Sequence, residues 1–167
     1  MRLLISPLFV LAFATSSAHA EVRANSSAEE FAQATSACFE AMAAESPSDV
    51  LQAVENEGWA LVDTTPIGGL FEREGSEILL RIETVFGSRI CTALANRSET
   101  QTLEGLLSEV MSELTPRYGD RLSRDTNRTD PTLALSGTAR SAFTSQQNGN
   151  EFNTQITTLR IRKGENQ

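Results

Sequence analysis

Apolar residues recur along this chain with two periods, and the changes of period mark its elements. Phe31, Thr35, Cys38, Phe39 and Met42 fall on one face at helical spacing. Ser27 stands three residues before Glu30. In such a capping box the hydroxyl accepts from an orphan N–H and the glutamate reaches back. The stretch "SPSDVLQAVENEG" repeats the start signal. Ser46 caps, Pro47 suits the first helical position, and Asp49 meets the positive end of the helix dipole. Val50, Leu51 and Val54 form the buried side, and Gly58 stops the helix. A third helix is predicted from about Thr102 to Tyr118, with Leu103, Leu106, Leu107, Val110, Met111 and Leu114 along one stripe. Glu104, Glu109 and Glu113 lie opposite, and Gly119 ends it.

Between the second and third helices the period shortens to two. Residues 59–62 read as extended, before a break at Pro66 and Gly68-Gly69. Gly75-Ser76 and Gly87-Ser88 then separate apolar runs and suit two-residue hairpin turns. Taken literally, the turns pair Arg73 with Ile78, Phe71 with Leu80, Thr84 with Cys91 and Ile82 with Ala93. One face then gathers Phe71, Ile78, Leu80, Ile82, Cys91 and Ala93 as core. The other holds Leu70, Glu72, Leu79, Arg81, Glu83, Thr92 and Leu94. After the third helix, residues 119–131 form a polar connection. Asn148-Gly149 then marks a last hairpin, with Ser145 opposing Phe152 and Phe143 opposing Thr154. Phe143, Phe152 and Ile156 share its inner face. A bulge near Thr157-Thr158 is expected, because Leu159 and Ile161 have the other parity.

The order ααβββ(β)αββ predicts an α+β domain. Its antiparallel sheet has about five strands, with three helices packed mainly on one face. No internal repeat is visible.

The N-terminal apolar run changes the picture of where this domain works. Arg2, the run Leu3 to Ala14, and the closing Ala18-His19-Ala20 have the pattern of a secretory signal peptide cut before Glu21. Residues 1–20 are therefore read as cleaved. Residues 21–167 are read as a single globular domain, frayed at 21–26 and 163–167. No later stretch is apolar enough to span a bilayer, and the expected location is periplasmic or secreted. In an oxidising compartment the two cysteines, Cys38 and Cys91, are expected to form one disulfide. Both fall on apolar faces, so the bond would pin the first helix to the sheet.

Cleavage also removes the only histidine, His19. Ser-His-Asp and Cys-His catalysis and histidine zinc sites then lose their central residue. The segment carries one arginine and no acidic residue, so the formal charge moves from −8 to −9. That balance makes the chain a poor candidate for binding nucleic acid or anionic membranes.

Three groups remain as candidate chemistry. Arg117, Arg121, Arg124 and Arg128 are spaced four, three and four apart. They would line one side if the helix resumed after Gly119, and arginines so placed clamp oxyanions bidentately. Leu70, Leu79 and Leu94 form a candidate apolar patch on the outer sheet face. Glu72, Glu74, Glu77 and Glu83 cluster near one hairpin pair, as an acid–base hydrolase would require. Asp125, Asn127 and Asp130 offer oxygen ligands, but Pro131 and Ser136 break the EF-hand pattern. No metal or cofactor is expected. The leading expectation is a small exported, disulfide-pinned binding or accessory protein without catalysis. It would hold a protein or a small anionic ligand through a sheet face or the arginine-rich loop. The alternative is a carboxylate-dependent hydrolase of envelope polymers.

Overall fold

The computed structural model describes residues 25–148 and 151–161. The expected signal segment and its cut before Glu21 lie outside the described residues, as does the tail 163–167. Helices α1 (Ala28–Ala43), α2 (Pro47–Asn56) and α3 (Leu103–Tyr118) accompany eight strands. These are β1 (Ala60–Thr65), β2 (Gly68–Glu72), β3 (Leu79–Val85), β4 (Ser88–Asn96), β5 (Leu122–Arg124), β6 (Thr132–Leu135), β7 (Ala139–Asn148) and β8 (Glu151–Arg160).

The fold is mixed α+β with one antiparallel sheet, but that sheet has eight strands in the order β1-β2-β3-β4-β8-β7-β6-β5. The expected five fell short because β5 and β6 are only three and four residues long. Segments so short carry too few alternations to register as strands. The order exposes a symmetry that the sequence hides. Helix followed by a four-stranded meander occurs twice, and the final strands of the two halves, β4 and β8, pair antiparallel at the centre. The halves are thus related by an approximate two-fold axis through the β4–β8 seam.

The helices begin where their caps require. Ser27 accepts from Glu30 N at 3.2 Å while its own N–H donates to Glu30 Oε2 at 2.7 Å. Ser46 and Asp49 reproduce the exchange at α2. Residue 26 is not frayed as expected: Ser26 is buried, and its N–H donates to Asn96 O at 2.9 Å. Alanines 32, 34, 37 and 41 are buried in α1 beside Phe31, Cys38, Phe39 and Met42. These small side chains let α1 lie close to both α3 and the sheet, which it contacts at β3, β4, β7 and β8.

The expected core face is observed, with Phe71, Ile78, Leu80, Ile82, Cys91 and Ala93 all buried. Cys38 and Cys91 are disulfide-bonded with their Cα atoms 5.5 Å apart, and both are fully buried. Phe71 pairs with Leu80 as read, although the ladder stops there before Arg73. Two registers differ from the reading. Ile82 pairs with Cys91, and Phe143 with Ile156. The turn therefore centres on Phe86-Gly87, with Val85 opposite Ser88. In the last hairpin Asn148 pairs with Glu151. The Asn148-Gly149 turn itself falls partly outside the described residues, as does the side chain of Phe152. Both slips are of two residues, and a slip of two returns every side chain to its own face. The bulge at Thr157-Thr158 is absent, because both ladders of β8 run on without interruption there. Leu159 instead projects from the outer face, where it is exposed.

Candidate functional site

The turns β1–β2, β3–β4 and β6–β7 and the last residues of β8 all reach the same end of the sheet. There the loop between β5 and β6 forms the far wall of an open groove of about 1010 Å³. Its floor is the outer face of β7 and β8, with Ala142, Thr157 and Leu159. Four arginines line it, Arg89, Arg128, Arg140 and Arg160, against two acidic residues, Glu45 and Asp130. In a chain of formal charge −8 this is a local reversal of sign.

Each arginine is placed by a different element. Arg89 follows the β3–β4 turn, and its Nη1 donates to Ala41 O and Ala44 O at 2.7 Å each. It thereby serves orphan carbonyls at the negative end of α1. Burial, with Arg160 nearby, pushes the Arg89 guanidinium below its ordinary pKa. Arg140 lies on the outer face of β7, with Nε 3.1 Å from Asp125 Oδ2. Arg128 approaches the same oxygen at 3.9 Å. Asp125 also accepts from Asn127 N at 3.1 Å, so one carboxylate organises the loop and holds two arginines over the groove. Arg160 leaves the end of β8 and is exposed. Among the described residues it has no ion pair with a carboxylate.

Of the four arginines singled out in the sequence, only Arg128 lines this groove. The helix does not resume after Gly119, whose φ of 54° is costly for any residue with a Cβ. A single 3₁₀ turn (Gly119–Arg121) leads into β5, so the four cations are dispersed. Arg117 lies on the helix side, where Nη1 and Nη2 grip Glu57 at 2.7 Å each and Nη2 reaches Glu40 at 3.0 Å. Tyr118 donates to Glu40 at 3.0 Å and lies 2.9 Å from Ser36 Oγ. This network ties α1, the end of α2 and α3 together and leaves Arg117 no fork for a ligand. Arg121 donates to Thr138, and Arg124 pairs with Glu104 beside a smaller hollow of about 280 Å³ behind the loop.

The leucine trio does assemble. Leu79 pairs directly with Leu94 across β3 and β4, and Leu70 sits diagonally next to Leu79. The patch lies four residues along β4 from Ile90, which faces Leu159, so about 13 Å separates it from the groove. The carboxylates do not converge. Glu72, Glu74 and Glu77 are exposed around the β2–β3 turn, at the opposite end of the sheet, and Glu83 stands 3.9 Å from Arg81. None of them lines the groove. Among the described residues no three His, Cys, Asp or Glu side chains are grouped as metal ligands would be, and Asp125 is occupied by arginine.

Arg89, Arg140 and Arg160 escaped the sequence reading because they are 51 and 20 residues apart and meet only through the sheet order. A partial signal existed. Arg140 has the opposite parity to the core residue Phe143, which already assigns it to the outer face. In comparisons with known proteins, no family model, curated protein or solved structure matches this chain.

Proposed function

We propose that this chain is an exported, disulfide-pinned binding protein whose groove holds an anionic group of its partner. The observation that carries the reading is the convergence of Arg89, Arg128, Arg140 and Arg160 on one open groove in an otherwise acidic chain. Guanidinium groups present forked donors that match phosphate, sulfate and carboxylate oxygens. Thr157 adds a hydroxyl along the floor. The leader pattern of residues 1–20 and the buried Cys38–Cys91 bond support export.

Titration with inorganic phosphate and sulfate, followed by amide shifts in NMR spectra, tests the reading. The expected shifts centre on residues 128–130, 140 and 160, and they weaken as salt is raised. Arg128→Gln and Arg160→Gln should each reduce the affinity several-fold with the fold intact. Shifts spread evenly over the surface, or affinity untouched in both variants, would remove the groove from consideration. The intact mass of the exported chain should place Glu21 at its N-terminus; a retained His19 would remove the export step.

A further inference from the structure

The turn that flanks the groove carries a residue that its backbone does not favour. Phe86 sits at φ 49° in the β3–β4 turn, followed by Gly87 at φ 75°. Two successive positive φ values are the requirement of a tight hairpin turn, which asparagine and glycine meet most easily. A bulky aromatic there is an outlier. Its ring rests on nothing: Phe86 is fully exposed, at 103 % of the reference area. Ile67, 48 % exposed, occupies the neighbouring β1–β2 turn, which Thr84 N anchors by donating to Ile67 O at 2.7 Å. Leu159, 47 % exposed, stands on the groove floor. Three apolar side chains thus project from the same end of the sheet as Arg89 and Arg160. In sequence Arg162 and Lys163 follow after Ile161.

We propose that the anionic group is presented by a lipid surface: Phe86 and Ile67 enter the acyl boundary while Arg128 and Arg160 meet lipid phosphates. The proposal rests on the groove reading above and names its partner. Apolar points beside cations are what the headgroup boundary receives. The points protrude from separate turns and share no concavity. A fluid apolar layer accommodates such points singly, whereas a protein partner would need a preformed pocket for each. The negative charge of the chain as a whole does not oppose this. At physiological salt a charge acts over about 8 Å, so carboxylates at the far end of the sheet are screened from the surface.

The test is co-sedimentation of the chain recovered after export with vesicles of phosphatidylcholine, with and without phosphatidylglycerol. Inorganic phosphate titration runs alongside. Binding is expected only with phosphatidylglycerol and should fall as salt is raised. Phe86→Ser should lower partitioning about tenfold. Arg160→Gln should lower it about fivefold. Phe86→Asn separates docking from folding: asparagine suits the turn, so its thermal midpoint should match or exceed that of the parent while vesicle binding is lost. Parent-like vesicle binding by Phe86→Asn overturns the proposal, and so does equal binding to neutral vesicles. Phosphate binding that depends on Arg160 without any vesicle binding overturns the lipid surface and leaves the groove reading standing. Loss of both overturns both.

Discussion

Removing the Cys38–Cys91 bond is the perturbation whose size follows most directly from the fold. The two cysteines are 53 residues apart, and the loop between them contains α2 and the strands β1 to β3. In the chain-entropy account, closing a loop of that length destabilises the unfolded ensemble by about 4 kcal/mol. A domain of this size holds about 5–15 kcal/mol in all, so the bond is a large share of the total. In Cys38→Ala/Cys91→Ala the lost sulfur packing adds on the order of 1 kcal/mol, because both residues are fully buried. Urea unfolding can be followed through Trp59, the single tryptophan, which is 1 % exposed in the folded chain. The double variant should unfold at lower urea with a loss of about 4–5 kcal/mol. Its m-value should rise, because an unlinked chain exposes more surface on unfolding. A loss under about 1 kcal/mol would refute the reasoning, since the cross-link would then constrain nothing that α1 packing does not already hold.

Three further perturbations probe the sheet and the helix clamp. A Cβ on Gly68 would lie 1.9 Å from Ile82 O and 2.7 Å from Glu83 Cα, so Gly68→Ala must force β2 from β3. It should cost about 3 kcal/mol or more in urea unfolding, and a neutral result would contradict the pairing. Tyr118 is buried, which pushes its hydroxyl up to about 12 from 10.0. The unfolded chain therefore ionises first: the contribution is complete below pH 10, then shrinks as pH rises through 12. The change is on the order of 1–2 kcal/mol. Chemical unfolding across that window should show the decline in the parent and a smaller one in Tyr118→Phe. Arg117 grips Glu57 with both nitrogens but is 45 % exposed, so Arg117→Gln should cost only about 1 kcal/mol. A double-mutant cycle with Glu57→Gln should recover a coupling of about that size; no coupling would mean that the pair is held by its surroundings.

Period-two reasoning assigned the faces of β2, β3 and β4 correctly and failed at Leu159, which needed no bulge because it faces outward. It placed Cys91 inward and Leu94 outward even though the turn was centred one residue late, because that moves the register by two and a slip of two keeps every face. It could not see β5 or β6. Leu122 is the lone buried residue of β5, and one buried position defines no period. The arginine site was illegible for a related reason. The spacing from Arg117 to Arg128 matched a helix that ends at Gly119, while the residues that do converge come from three strands brought together by the β4–β8 seam. What the sequence could offer was subtraction. The expected loss of His19 and the expected pairing of both cysteines left arginine and shape as the chemistry to examine.

The approximate two-fold axis at that seam has a consequence for truncated chains. Each half ends in the strand that becomes the centre of the sheet, so either half alone would leave that strand as an open edge. For the first half the open strand would be β4, already fastened to α1 by the disulfide and covered on its inner side. An antiparallel partner is what such an edge accepts, and a second β4 related by two-fold rotation supplies one. A fragment ending near Asn96 is therefore a natural dimeriser.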